Sequence, residues 1–482
     1  MSELFDKASM YGFTENGAFT HTGTGSKVLD LFSMGGGLRD SDEDRIINIV
    51  KNAYKENPLQ TVETLLYLRD IRGGQGEKRV FHIGMNAIRD NLKNIRPLIR
   101  AIVEVGSWKD VFTMFSPEEY LPTVKAYYNE HVKQNKFDLM EKWLPSIGGS
   151  KNRIAEKIAK YLELTPKQYR KYLSKARAQL NIVETKMCSD KWSDIEYDSI
   201  PSRAGFLYGE AFKRHDNERY VEHLTNCMNN TATVNAGTLY PYEITGKVSA
   251  SLEEDLQLEA FWKNLPDYTD GSNSLVVADT SGSMCGRPFN VASSLAIYFA
   301  EHNKGIFHNE YVTFSSEARF IRFNEEDSLT KKVHQMLDEY ICENTNLQSV
   351  FDLILRTGKE HNIPESEMPK NIYVISDMEF DIATRAGYGY HSTPYVTNFE
   401  EIERKYSESG YRMPKLIFWN VNSHQNNVPV TMNEDGVALV SGCSPSTFKM
   451  VITDDLNPYQ FMLKTIESER YSTLAKDILK DN

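Results

Sequence analysis

Between residues 40 and 225, apolar positions recur three and four apart, which places them on one face of a helix. The pattern predicts helices over 42–56, 78–92, 95–105, 120–134, 150–162, 166–181 and 203–227, separated by short breaks containing Gly or Pro. A further helix opens in "NPLQTVETLLYLRDI". There Asn57 is placed to cap, Pro58 takes the first helical position, and Val62, Leu65, Leu66 and Leu68 form the apolar face. Thr165-Pro166 opens another in the same way. Helices of this length and spacing predict stacked pairs of a HEAT-like kind, although no fixed period is visible.

The pattern changes at about residue 228, where "NNTATVNAGTLYPYEITGKVSA" is polar and turn-rich. After Gly271, strand patterns at 274–279, 309–315, 318–323, 371–376, 415–421 and 436–441 alternate with helical ones at 288–303, 328–340, 346–357, 397–408 and 445–466. Such alternation predicts a mostly parallel, Rossmann-like doubly wound sheet covered on both faces. Tyr311–Phe314 and Ala318–Phe323 read as a hairpin at its antiparallel edge. The expected fold class is therefore α followed by α/β. The expected parts are an N-terminal extension (1–40), a helical-repeat domain (41–250), a linker (251–271) and an α/β domain (272–482).

A length of 482 residues suits two or three domains. No window approaches the ~20 apolar residues of a membrane helix. "MSELFDKASM" lacks a basic region followed by an apolar stretch, which argues against a signal peptide. The five cysteines are far apart with no C-x-x-C pair, a reduced, intracellular pattern that predicts a cytoplasmic protein without zinc. The net charge of −12 is unevenly spread: about −2 over residues 1–270 and −10 over 271–482. Within 151–180, nine Lys/Arg stand against Glu156 and Glu163. A basic stripe like this can hold a phosphate backbone on an acidic protein, or can be a solvated helix face.

The densest chemistry lies in "VADTSGSM" (277–284). In open α/β sheets ligands gather at the C-terminal ends of strands. Three polar clusters fall at such ends: Asp279 to Ser283, Asn344-Thr345-Asn346, and Ser376-Asp377. Asp279, Ser281, Ser283, Thr345 and Asp377 together offer oxygen ligands for Mg²⁺ or another divalent cation. Without an ion, two carboxylates this close repel and shift their pKa values. A serine nucleophile would want a G-x-S-x-G turn and a His at a strand end, and His302, His308 and His391 are not so placed. "GTGSK" (23–27) and "GGQGEK" (73–78) lack the G-K-[ST] ending of a phosphate loop. The expectation is a non-enzyme, with a metal-dependent hydrolase as the third reading. D-x-S-x-S, a Thr before a helix and a later S-D resemble the metal-ion-dependent adhesion site of von Willebrand A domains. That resemblance implies an ion that keeps one coordination position for a partner's acidic side chain.

"LLYLRDIRGGQGEKRVFH" (65–82) and residues 142–224 carry R-D-I-R-G-G-x-G-E, a Leu-Pro before a basic helix, Y-R-K-x-L, V-E-x-x-M, W-x-x-I-x-Y, P-S-x-A and F-K-R-H-D-x-x-R-Y. In this order they resemble the TROVE module, the helical-repeat ring of the Ro ribonucleoprotein autoantigen. They are also similar to a related, poorly characterised family that joins this module to the same A domain. The resemblance implies binding of non-coding RNA, as single-stranded ends in the ring or as structured RNA outside it. "VEVGSWKDVF" (103–112) lacks the His of the corresponding Ro stretch, and the preceding helix keeps only Arg96 and Arg100, which departs from the structured-RNA site. Lys151, Arg153, Lys157, Lys160, Lys167, Arg170, Lys171, Lys175 and Arg177 are candidates for a phosphate track, with Tyr161, Tyr169 and Tyr172 for stacking. In the alternative, the protein is an interaction or assembly component whose A domain binds an acidic partner and whose ring binds protein. Arg69, Asp70 and Arg72 also read as a buried ion-pair network around Gly73-Gly74, His215 and Asp216 as packing partners, and Trp108, Trp143 and Trp192 as core.

Overall fold

The computed structural model describes residues 11–251, 253–269, 272–314, 317–339, 345–382, 384–385, 391–392, 396–448 and 457–480. Its helical half opens inside the expected N-terminal extension, with helix Lys27–Gly35. Ser26 caps this helix and Val28 to Gly35 are all buried. Val28, Leu29, Leu31, Phe32 and Met34 supply its apolar faces, and the buried Asp30 accepts from the Thr24 N–H (2.7 Å) and hydroxyl (2.8 Å). Helices Glu43–Glu56, Pro58–Arg69, Arg79–Ile88, Arg96–Val105, Trp108–Met114, Pro117–Gln134, Leu139–Trp143, Asn152–Tyr161 and Pro166–Gln179 follow, each packed on near neighbours in the chain. Asn57 and Thr165 cap as expected, accepting from the N–H groups of Gln60 and Gln168. The helix expected at 203–227 is two, Ser202–His215 and Asn217–Met228, broken where Asp216 takes φ −149°. No helix among the described residues is long and apolar enough to cross a membrane.

The segment read as polar and turn-rich, and the linker expected at 251–271, contain two helices, Pro241–Ser251 and Leu256–Lys263. The second buries Leu258, Phe261 and Trp262, a face too short to register as a periodic pattern. The helical series also returns to its beginning. The Tyr240 hydroxyl donates to the Gln75 carbonyl (3.0 Å), and Arg39 donates to the Tyr242 hydroxyl (2.9 Å) while pairing with Glu77 (2.5 Å).

Among the described residues the strands are β1 (Tyr11–Phe13), β2 (Phe19–His21), β3 (Ser274–Asp279), β4 (Glu310–Phe314), β5 (Ala318–Arg322), β6 (Asn371–Ser376), β7 (Thr384–Arg385), β8 (His391–Ser392), β9 (Lys415–Asn420) and β10 (Val437–Ser441). Six of them form one sheet in the order β10-β9-β6-β3-β4-β5, parallel throughout except for the β4–β5 hairpin. Successive side chains of β3 and β6 enter opposite cores. Val276, Ala278, Tyr373 and Ile375 join one, and Leu275, Val277, Ile372 and Val374 the other. The first of these cores continues through Trp419, Phe448 and Phe32 into the helical half. Strand order reverses between β3 and β6, which opens a crevice at their C-terminal ends.

The two termini depart from the expected partition. Of the helix expected at 445–466, residues 449–456 lie outside the described residues; Pro458–Ile466 and then Glu469–Leu479 are helical. Glu469–Leu479 packs on Pro58–Arg69 and Arg96–Val105, and Pro458–Ile466 on Lys27–Gly35, Pro58–Arg69 and β10, so the end of the expected α/β domain joins it to the helical half. The link is a buried clamp. Asp70, fully buried, accepts from Arg470 Nε (2.5 Å) and Nη2 (3.0 Å), from the Tyr471 hydroxyl (3.0 Å) and from the Arg72 N–H (3.0 Å). Burial alone would raise the Asp70 carboxyl, but the Arg470 guanidinium and these N–H and O–H donors hold it below its ordinary value. Tyr471→Phe leaves the ring and removes one bond to a charged group. It is expected to lower the unfolding free energy by about 1.5 kcal/mol, read from urea melts.

Candidate functional site

The expected metal residues meet at the crevice. β3 ends at Asp279, whose two oxygens accept from the Ser281 N–H (2.9 Å) and, across the strand pair, from the Ser376 hydroxyl (2.6 Å). That turn brings the Ser281 and Ser283 hydroxyls to 3.2 Å of each other. Thr345 precedes helix Leu347–Glu360, and its carbonyl accepts from the Asp381 N–H (2.8 Å), which ties it to the loop after Asp377. Asn344 lies outside the described residues. Asp279, Ser281, Thr345 and Asp377 are at most 1% exposed, whereas Ser283 faces solvent.

Burial first, and the Asp377 charge second, push the Asp279 carboxyl above its ordinary range. Burial likewise raises Asp377, against the opposing pull of the Ser283 hydroxyl, the Glu379 N–H and His424. Glu379, two residues on, is also buried and raised. Most informative is Asp377 Oδ2, which is buried and has no hydrogen-bond partner. A lone carboxylate oxygen in such a place costs several kcal/mol unless something positive meets it. The donor set of two carboxylates and three hydroxyls, with an oxygen left over, fits a small hard cation such as Mg²⁺.

The basic stripe separates into two sides. On helix Pro166–Gln179, Arg170 and Arg177 share one face and border a cavity of about 660 Å³ together with Lys142 and Trp143. Lys151 borders an adjoining cavity of about 280 Å³, again beside Trp143. Arg177 is largely committed to structure, donating to the carbonyls of Glu141 (3.1 Å) and Leu144 (2.6 Å) and to the Ser146 hydroxyl (2.8 Å). Lys167, Lys171 and Lys175 follow the helix's other side, where Lys175 reaches Asn135 (2.6 Å). Arg153, Lys157 and Lys160 are exposed on the preceding helix, with Lys157 paired to Glu118 at 3.3 Å. Of the stacking candidates, Tyr161 is exposed (41%). Tyr169 is buried and donates to the Pro145 carbonyl, and Tyr172 donates to Glu141.

Sequence reading missed a second group of cations. Lys78, Lys109, Lys142 and Arg203 come from four separate helical segments, near enough that three of them act on the fourth. Burial first, then the charges of Lys78, Lys142 and Arg203, pull the Lys109 ammonium below its ordinary value. Lys109 Nζ lies 3.8 Å from the centre of the Trp143 ring, and Lys142 Nζ 5.3 Å. Trp143, expected in the core, is only partly buried and borders both cavities. The other two tryptophans are structural. Trp108 is buried, and Trp192 stacks on His215 at 4.3 Å. Arg69 is spent on Asp110 (2.6 Å), a buried acid that also meets Lys78 and His82.

One arrangement resembles a nucleophile and does not suit the role. Cys227 Sγ is 3.6 Å from His223 Nε2, and His223 Nδ1 is 3.7 Å from Asp198. The thiol is 1% exposed and burial pushes it up to about 11, the opposite of what an attacking thiolate requires.

Residues 273–476 match a domain of unknown function, DUF7788. The uncharacterized protein L728 of Acanthamoeba polyphaga mimivirus is 28% identical, over 94% of this chain and 87% of that one. The Ro (RSR) protein of Deinococcus radiodurans aligns over 94% of this chain and 99% of its own, at 11% identity and a TM-score of 0.31, too low to argue from. A second domain of unknown function, DUF2828, matches residues 14–116 and 108–273, more than half of the chain, and the protein belongs to that family.

Proposed function

We propose that the protein is a Ro-like RNA-binding protein. In this reading the helical half takes single-stranded or structured non-coding RNA on the basic face around Trp143. The α/β half carries a Mg²⁺ centre that docks an acidic side chain of a partner. The observation that carries the reading is the placement of Lys109 and Lys142 over the half-open Trp143 ring, with Lys78 and Arg203 near enough to act on Lys109. Lys78, Lys142 and Arg203 also pair with Asp110 (3.4 Å), Glu184 (3.2 Å) and Glu243 (2.6 Å), and a phosphate held at Lys109 would draw on the same cations. An aromatic ring among them offers a base a stacking surface. Arg170 and Lys151 extend the same face. The test is RNA affinity against salt for the wild type and for variants of these cations.

At the crevice, Asp279, Ser281, Ser283, Thr345 and Asp377 would hold the ion, and buried Asp377 Oδ2 favours a cation there. A bound ion would supply a positive point charge for a carboxylate to meet. The chain's own residues keep two acids buried and close, and orient the hydroxyls. The second reading, an assembly component that binds only proteins, is favoured by the −10 charge of residues 271–482. It predicts no RNA binding even at low salt.

A further inference from the structure

The larger cavity beside Trp143 contains a carboxylate that phosphate binding alone does not call for. Trp143, Ile147, Leu173 and Ile182 give the cavity apolar walls, and the exposed Arg170 borders it. At about 660 Å³ it falls within the roughly 300–1,000 Å³ of sites that enclose small molecules. Glu184, near the start of helix Val183–Cys188, borders the same space, and its side chain is 34% exposed.

Two neighbours hold this carboxylate. Lys142 Nζ lies 3.2 Å from Oε1 and 3.5 Å from Oε2, and the Tyr208 hydroxyl donates to Oε1 (3.2 Å). Charge-assisted hydrogen bonds run at about 2.5–2.9 Å, so these contacts are long. A carboxylate accepts along about four directions, and no other side chain among the described residues donates to this one. Acceptor capacity therefore remains inside the cavity, chiefly at Oε2.

An acid at this place opposes phosphate, because it cancels part of the charge that Lys142 and Arg170 supply. It favours a ligand edge that carries only donors. Among the four RNA bases, guanine alone presents two adjacent donors, N1–H and the 2-amino group, on its Watson–Crick edge. Adenine and cytosine place a ring-nitrogen acceptor beside the amino group, and uracil flanks its single N–H with carbonyls. Each of those three sets a lone pair against one carboxylate oxygen.

We propose that this cavity is a guanine pocket within a single-stranded RNA site. Glu184 accepts from guanine N1–H and from the 2-amino group, the apolar walls enclose the base, and Arg170 meets a flanking phosphate. The proposal rests on the RNA reading above and narrows it to strands that carry an unpaired guanine.

The test is fluorescence anisotropy of labelled oligouridine strands with one central guanosine, adenosine, cytidine or inosine, using the full chain as wild type and as Glu184→Gln. The wild type is expected to bind the guanosine strand about tenfold more tightly than the adenosine and cytidine strands. Inosine keeps N1–H and lacks the 2-amino group, so its strand should fall between them. Glu184→Gln should weaken the guanosine strand about tenfold and strengthen the others, because it removes a negative charge from a phosphate-binding face. That crossing separates base reading from packing, since a glutamate that only pairs with Lys142 would let every strand strengthen together. The inosine comparison needs no variant and holds whether or not Glu184→Gln folds well. Equal wild-type affinity for the guanosine and inosine strands, or for the guanosine and adenosine strands, overturns the pocket and leaves the RNA reading standing. Uniform strengthening in Glu184→Gln overturns the assignment of Glu184. Absence of binding to every strand at low salt overturns the RNA reading, and the pocket with it.

Discussion

Saturating Mg²⁺ is expected to stabilise the wild-type protein by about 2.7 kcal/mol at a hundredfold excess over its dissociation constant. At an unfolding entropy of about 2.1 cal/mol/K per residue, a cooperative chain of this length shifts by roughly 1 °C per kcal/mol, so the unfolding midpoint should rise by about 3 °C. Asp377→Asn should lose the whole increment. The same variant should be more stable than the wild type when both are stripped of metal, because it removes one of two buried like charges and keeps the shape of the side chain. An acid that only packs and hydrogen-bonds would behave the other way, losing stability in the metal-free state and leaving Mg²⁺ without effect in either protein. Calorimetric melts of both proteins, with Mg²⁺ and with chelator, separate the two cases.

The pH dependence follows from the same pair. Asp279 and Asp377 are held above the ordinary carboxyl range in the fold, so folding favours their protonated forms. Stability from this source is complete below the unfolded value near 4 and is lost as pH rises through the raised folded values. Relative to Asp377→Asn, the metal-free wild type should therefore lose stability on going from acid to neutral pH, the comparison cancelling groups such as Asp70 whose lowered values act in the opposite sense. With Mg²⁺ bound the carboxylates are wanted in their charged form, and the difference should flatten or reverse. A metal-free wild type that gains stability relative to the variant over that interval would contradict the pairing.

Much of the α/β half was legible because strands and clusters follow each other locally. Alternation along β3 and β6 fixes which side chains enter each core, and the strand ends fix where Asp279 and Asp377 emerge. The docking of the β1–β2 hairpin was not legible, since its partners Thr345, Glu379 and Val428 lie more than three hundred residues away in the chain. The same holds for the Asp70–Arg470 clamp, which only tertiary packing reveals. The basic stripe was visible as composition, yet composition cannot tell which side of a helix faces a cavity. Arg170 and Lys171 are neighbours in sequence and look in different directions. Lys109 and Lys142 each stand beside a tryptophan, in "SWKD" and "EKW", a small signal that composition alone does not separate from packing.

Those cations carry the second large effect. Replacing Lys109, Lys142 and Arg203 together by Ala is expected to weaken single-stranded RNA about tenfold for each, taking a charge-assisted bond to phosphate as about 1.5 kcal/mol. The slope of log affinity against log salt should fall by about 0.7 for each phosphate contact removed. Trp143→Leu should weaken binding by about 1–3 kcal/mol through lost stacking and leave the slope where it was. Lys109 is exposed, whereas Arg203 pairs with Glu243 (2.6 Å) and Lys142 with Glu184 (3.2 Å), so the triple change should cost about 1 kcal/mol or less per pair, which urea melts can check. The triple change of Lys157, Lys171 and Lys175 to Ala is the control: these residues lie away from the Trp143 face, so affinity should change far less. Fluorescence anisotropy of a labelled single strand and of a duplex of equal charge, over a range of salt, reads all of these. If the Lys157 group carried the affinity and the Lys109 group did not, RNA would run along the outer side of helices 152–161 and 166–179, and Trp143 would be only a packing residue. A slope that responds to Lys109, Lys142 and Arg203, together with an affinity that responds to Trp143 at constant slope, is what a phosphate cradle around a stacking ring requires.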